Sequence, residues 1–236
     1  MSQHSNTYTF TYAFIFTAIV AVALALIASG LRPIQIQNEE QLKRSQILGS
    51  VTDVNPETVN DDFDRLIRPL AVNTSGDIVA EGEEAFAVDL NAERKKPADE
   101  RKLPVYEYKN GDEEYLIVPL RGAGLWGPIT GFVAFESDLE TIYGVVLDHE
   151  AETPGLGAEI NQPSFMEQYR GKKIFDDTGN YEPVKVLKGQ GNNVDGLPHA
   201  VDGLSGATMT TNGVTDMFAA GLQYYLPYFN RVKTAA

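Results

Sequence analysis

Hydrophobic and polar positions change pattern several times along the chain. From Phe10 to Leu31 the run FTYAFIFTAIVAVALALIASGL is almost wholly apolar, and no Asp, Glu, Lys or Arg precedes Arg32. A helix over those 22 residues reaches roughly 33 Å at about 1.5 Å per residue, enough for the hydrocarbon core of a bilayer. A cleaved signal peptide needs a basic leader and an apolar stretch of only about 7 to 15 residues. The run therefore predicts a single membrane anchor, with Tyr8 and Tyr12 at the interface.

After Pro33 the periodicity is helical. Asn38 to Leu48 reads as a short helix with Asn38 as its cap and acidic residues in the first turn. A second helix follows Asn55-Pro56, with Val59, Phe63, Leu66 and Ile67 on one face. Asn73 to Gly76 is a turn, and Asn91 to Lys102 (NAERKKPADERK) a solvated, charge-rich loop. Beyond it the pattern becomes that of strands. Val105–Lys109 and Glu114–Leu120 flank Asn110-Gly111, the hairpin signature of a type I′ turn. Gly131–Glu136 and Thr141–His149 form another antiparallel pair about Ser137-Asp138, and Pro183–Leu187 is one more strand. Val214, Met217, Phe218, Gly221 and Tyr225 return at helical spacing, predicting an amphipathic core helix that ends near Pro227. The fold class is α+β: a single N-terminal transmembrane helix, then an antiparallel-sheet domain with flanking helices.

Composition narrows the chemistry. The 236 residues carry a formal charge of −14, the wrong sign for binding nucleic acid or an anionic lipid surface. With no cysteine and three scattered histidines (His4, His149, His199), disulfides, thiolate nucleophiles and Cys-ligated clusters are excluded, and no protein-held metal is expected. Any redox group must be an added organic cofactor. Arg32, Lys43 and Arg44 follow the span while nothing basic precedes it. A literal positive-inside count would place the large domain in the cytoplasm, although long domains translocate largely regardless of charge.

Three stretches are candidates for chemistry. Gly122, Gly124 and Gly127 in GAGLWG have the bare G-x-G-x-x-G spacing, but Pro128 and a strand follow where a dinucleotide site requires a helix. The segment is a glycine-rich turn, with Trp126 either stacked on a flat ligand or simply packed. Glu152 to Gly157 (ETPGLG) is a loop in which Pro154 fixes φ and the glycines permit positive φ. In Asp202 to Gly213 (DGLSGATMTTNG), Thr208, Thr210 and Thr211 lie just before the amphipathic helix, whose cap is expected at Thr211 or Asn212. Capping by hydroxyls accounts for these threonines on physical grounds alone. A phosphate there would also meet free backbone N–H groups and the positive end of the helix dipole.

Asp202, Ser205, Gly206, Ala207 and Thr208 spell D-x-x-S-G-A-T, which resembles the signature of proteins carrying FMN phosphoester-linked to threonine. ETPGLG and GAGLWGPITGFVA are similar to segments of one such family, the C subunit of the sodium-translocating NADH:quinone reductase. The resemblance spans essentially the whole chain. It is strongest from Gly122 onward and weak from Gln35 to Leu103. It implies an electron carrier, without independent catalysis, in a multisubunit complex that passes electrons to ubiquinone and moves sodium. One FMN would be held covalently on Thr208, put there from FAD with Mg2+ by a flavin transferase that recognises Asp202, Ser205, Gly206 and Ala207. Leu125, Trp126, Glu152, Thr153 and Leu156 would approach the isoalloxazine. The resemblance also implies a single-pass protein of the bacterial inner membrane with its soluble domain on the periplasmic side. The expected division is a tail at 1–9, an anchor at 10–31, a helical or mixed membrane-proximal region at 32–104, the FMN-binding domain at 105–230 and a tail at 231–236. The G subunit of Rnf-type complexes resembles the same motifs, so a ferredoxin:NAD complex is the near alternative. An anchored extracytoplasmic binding module with no redox group is the alternative from another class, and a dehydrogenase using Gly122 to Gly127 comes last.

Overall fold

The computed structural model describes residues 6–235, so the ends of the expected tails, 1–5 and 236, lie outside the described residues, as does His4. The chain divides into two units, Met1–Lys43 and Arg44–Ala236. Helix α1 (Asn6–Gly49) runs unbroken for 44 residues and contains Pro33. The two helices expected on either side of Pro33 are therefore one, and Asn38 is an interior residue rather than a cap. A proline in a helix interior costs about 3 kcal/mol, which the strong helix formers on both sides outweigh. Within the first unit α1 is apolar on all sides over residues 10–31, with Phe10 and Phe14 exposed, and contains an 18-residue window of mean hydropathy 2.6. A helix of that composition suits lipid rather than water.

The second unit is built on a six-stranded antiparallel sheet of order β2-β1-β3-β4-β5-β6. Its strands are β1 (Ile67–Val72), β2 (Ile78–Glu81), β3 (Leu103–Asn110), β4 (Glu113–Ala123), β5 (Pro128–Phe135) and β6 (Ile142–His149). Alternation along the strands supplies two apolar faces. Val105, Val118 and Val133 face one way, against Val214, Met217 and Phe218 of α6 (Thr208–Leu222) and Phe229 of α7 (Leu226–Ala235). Tyr106, Ile117 and Phe132 face the other, against Ile47 and Leu48 at the end of α1 and Val59 and Phe63 of α2 (Val59–Leu66). The short helices α3 (Glu83–Phe86), α4 (Leu90–Glu93) and α5 (Pro163–Met166) lie in the connections. So does a separate parallel pair, β7 (Lys185–Val186) and β8 (Ala200–Val201).

The α+β architecture and both antiparallel pairs match expectation, with local differences. Ile67 opens β1 instead of extending the α2 face, and β1 pairs with both β2 and β3. The first hairpin turns on Gly111-Asp112, because Asn110 already pairs with Glu113. Gly111 has φ +62° and Asp112 is not in the left-handed region, the II′ pattern rather than I′. The charge-rich segment 91–102 is not wholly solvated: Glu93 is buried, accepting from Lys96 Nζ at 2.7 Å and the Lys102 amide at 2.9 Å. Met217, Phe218 and Tyr225 are core residues, as their spacing predicts. However, α6 begins at Thr208, three residues before the expected cap at Thr211, and Pro227 lies in the first turn of α7 instead of ending a helix.

Candidate functional site

Two loops and one helix end, distant in sequence, meet at the carboxylate of Glu152. GAGLWG ends β4 and supplies its connection to β5, closed by a bond from the Gly124 amide to the Gly127 carbonyl at 2.8 Å. No helix follows Gly127, in line with the expectation against a dinucleotide loop. ETPGLG leaves the end of β6 and turns back on itself, with the Leu156 and Ala158 amides both donating to the Thr153 carbonyl at 3.1 Å. Between them Glu152 is only 5% exposed. One carboxylate oxygen accepts from the Trp126 amide at 2.8 Å and the other from the Thr210 hydroxyl at 2.6 Å. Burial pushes this carboxyl upward. The Thr210 hydroxyl and the Trp126, Gly127 and Leu125 amides more than offset it, holding the group below the usual carboxylate range. The ionised side chain also lies against the first turn of α6, where the helix dipole favours negative charge. A Cβ on Gly124 or Gly157 would collide with the Glu152 carboxylate, so these glycines allow the two loops to close on it.

The start of α6 is arranged differently from the expected hydroxyl cap. Its N-cap is Ala207, and no side chain caps it. Thr211 turns its hydroxyl back to the Ala207 and Thr208 carbonyls at 3.1 and 3.2 Å, and Thr210 is bound to Glu152. Among the described residues the Thr208 hydroxyl has no hydrogen-bond partner. Gly206, at φ +73°, packs beneath Leu156; a Cβ there would lie 2.7 Å from Leu156 Cδ2. Around this end the large apolar side chains are exposed: Trp126 by 68%, Met209 by 61%, Leu125 by 51% and Leu156 by 41%. A flat apolar ligand tethered at Thr208 thus has backbone N–H groups for an anionic end and an apolar rim for its rings. The residues present fit FMN.

The structure therefore brings together Leu125, Trp126, Glu152, Leu156, Gly206, Ala207 and Thr208, with Ser205 and Thr153 exposed on adjoining turns. The Glu152 oxygens accept from within the protein, from the Trp126 amide and the Thr210 hydroxyl. Asp202 is also occupied, accepting from the Gly191 amide at 2.7 Å and from the Asn192 amide and side chain at 3.0 and 2.7 Å. Lys172 donates to the Leu197 and Val194 carbonyls at 2.7 and 3.2 Å, which ties it to the loop before β8. Two contributors are absent from the expected set. In sequence Thr210 looks like one of three equivalent hydroxyls, since its partner lies 58 residues away. Met209 is exposed on the first turn of α6, and no motif or spacing in the sequence singles it out.

Comparison with known proteins agrees with this geometry. Residues 124–223 match the family model for the FMN-binding domain. The chain is 39% identical over 210 residues to the C subunit of the Na(+)-translocating NADH-quinone reductase of Vibrio anguillarum, covering 81% of this chain and 80% of that one. The crystal structure of the corresponding C subunit from Parabacteroides distasonis superposes with a TM-score of 0.75 at 38% identity, covering 84% of this chain and 96% of the other. Shewanella oneidensis NqrC superposes with a TM-score of 0.71 at 27% identity, covering 84% and 99%.

Proposed function

The chain belongs to the NqrC family, the C subunits of Na(+)-translocating NADH-quinone reductases, and from that premise we propose that it carries its FMN as a phosphoester on Thr208 Oγ1. It is a flavoprotein subunit of this membrane oxidoreductase, and other subunits complete the complex. The bound flavin supplies the redox chemistry, accepting and releasing electrons. The chain's residues tether, orient and shield. Thr208 is the tether, and the uncapped first turn of α6 faces the phosphate. Leu125, Trp126, Leu156 and Met209 exclude water from the ring faces. Ser205 and Gly206 form the exposed turn before Thr208, and Ala207 is the buried N-cap of its helix. No acid or base hydrogen-bonds the Thr208 hydroxyl among the described residues. An unactivated hydroxyl is a poor nucleophile, so attachment falls to a separate flavin transferase using FAD and Mg2+.

The observation that carries this reading is the division of labour among the threonines. Thr210 and Thr211 are both committed within the protein, and Thr208 alone of the three keeps its hydroxyl available. The test is peptide mass analysis of the full chain, purified under denaturing conditions from a host expressing the transferase, beside Thr208→Val. The mass of FMN less one water on the Thr208 peptide, absent from the variant, is expected. An unmodified wild-type chain, with the transferase shown active on a control, would overturn the assignment.

For the membrane we propose one span within α1, with the second unit on the periplasmic side. Arg44 is discounted as a topology signal because it is spent in the fold, paired with Asp64 at 2.7 Å and lying 4.9 Å from the Phe63 ring. The chain lacks cysteine, so Asp112→Cys on the exposed β3–β4 turn gives a background-free label site. Reaction with a membrane-impermeant maleimide before lysis supports the orientation, and reaction only after lysis reverses it.

A further inference from the structure

On the flank of α6 away from Thr208 a second cavity of about 400 Å³ opens between α4, residues 101–103, the end of β4 and α6. Leu125, Trp126, Leu156 and Thr208 do not line it. Three arginines do: Arg94, Arg101 and Arg121. Their heads are fixed largely by backbone carbonyls. Arg94 Nη1 donates to the Arg121 carbonyl at 2.8 Å. Arg101 donates through Nε to the Lys96 carbonyl at 3.0 Å and through Nη2 to the Arg94 carbonyl at 3.1 Å, and its guanidinium lies 5.1 Å from the centre of the Tyr224 ring. Arg121 has one exposed ion pair, with Glu150 at 3.2 Å. Neither Arg94 nor Arg101 forms an ion pair among the described residues.

Two acids share the lining: Glu93 is buried and bound by Lys96 and the Lys102 amide, and Asp216 is exposed on α6, one turn before Ala220. In a chain of net charge −14 the three arginines outnumber the two acids of this lining. A guanidinium has five N–H groups in a rigid fork, and a carbonyl tie uses only one or two of them. The remaining wall is apolar, contributed by Leu103, Leu120, Met217 and the Tyr224 ring. The volume lies within the usual range for small-ligand pockets, about 300–1,000 Å³.

We propose that this cavity binds a small amphipathic carboxylate, its charged end held by Arg94 and Arg101 and its apolar or aromatic body resting on Tyr224 and Met217. Preorganised guanidinium groups favour a planar, bidentate acceptor, and a neutral isostere would leave those N–H groups unmatched. This site is independent of flavin attachment.

Benzoate is the probe, with benzamide as its neutral counterpart, added to the isotope-labelled full chain in detergent and followed by amide NMR. Saturable shifts at Gly122, Gly213 and Tyr224 are expected with benzoate, weaker by at least about tenfold with benzamide and in Arg94→Gln/Arg101→Gln. Those substitutions could loosen residues 94–103, so Ala220→Phe, which fills the cavity from an exposed helix position and keeps all three charges, is expected to abolish the same shifts. Thermal midpoints check that each variant is folded. Equal binding of benzamide, scattered shifts without saturation, or wild-type benzoate binding by Ala220→Phe would overturn the proposal.

Discussion

Glu152 ties three segments together, and its removal has a calculable consequence. In Glu152→Ala the Thr210 hydroxyl and the Trp126 amide lose an ionised acceptor held at 2.6 and 2.8 Å. Hydrogen bonds to charged groups contribute about 1.5–3 kcal/mol each, so these two predict a loss of about 3–6 kcal/mol from a total stability of about 5–15 kcal/mol. At about 2–4 °C per kcal/mol for a unit of this size, the thermal midpoint should fall by about 6–24 °C. Glu152→Gln should cost less, because its carbonyl can accept from the Trp126 amide while its NH2 group donates to the Thr210 hydroxyl oxygen, leaving only the loss of charge. The effect has a pH signature. The folded carboxyl titrates below its unfolded range of about 4.3, so its contribution is complete above that range and is lost as pH falls through the depressed folded value. The gap between wild type and Glu152→Gln should therefore narrow on acidification. Because the group is buried, the gap should persist at high salt. Trp126, the sole tryptophan, reports the loop directly, and its fluorescence anisotropy should fall in Glu152→Ala. A midpoint within about 2 °C of wild type, together with unchanged anisotropy, would refute the latch.

Thr210→Val removes one donor to Glu152 but leaves Thr208 intact; it should lower stability by about 1.5–3 kcal/mol while intact mass still shows the flavin adduct. Loss of the adduct in that variant would move the tether. Asp202→Asn withdraws the charge that organises the loop before β8, so hydrogen exchange at the Gly191 and Asn192 amides should quicken; unchanged protection would show the loop to be held by other contacts. Gly213→Ala drives a Cβ into the Ala123 carbonyl where α6 crosses β4. It should destabilise by at least about 2 kcal/mol, and a urea midpoint equal to wild type would show that α6 can shift freely.

Local signals in the sequence read well wherever one element decides them. The apolar run of α1, the alternation of β3 to β6 and the spacing of Val214, Met217 and Phe218 each carry their own periodicity. What the pattern misses depends on partners far along the chain. In β1, Pro69 and a short run obscure the strand, which exists because Leu70 pairs with Val105 and Glu81 on neighbouring strands. The start of α6 is misplaced because Thr211 resembles a cap in isolation, whereas in the fold its hydroxyl bonds backward from inside the first turn. The motif glycines mark the three segments that meet at Glu152. Their meeting point is invisible in sequence, because Glu152 reaches Trp126 and Thr210 across 26 and 58 residues.

The same inward commitment limits what the Thr208 end can do. Glu152 and Asp202 are both held ionised by protein donors despite partial burial, and His149 accepts from the Glu152 amide through Nδ1 at 3.3 Å. The motif acids are thus turned into the fold, while the outward surface is made of Leu125, Trp126, Leu156 and Met209. Exposed apolar side chains clustered around the Thr208 hydroxyl are unfavourable in water unless something covers them. The flavin ring proposed for Thr208 would cover part of that rim, and the apolar area left over is suited to a neighbouring surface of the complex. Replacing Trp126 and Met209 together by serine separates these roles, because neither side chain enters the Glu152 network, although the Trp126 amide does. Stability should change by less than about 1 kcal/mol and the mass adduct should remain. Co-purification with the other subunits should weaken. Full assembly of the double variant would show that the rim serves the flavin alone.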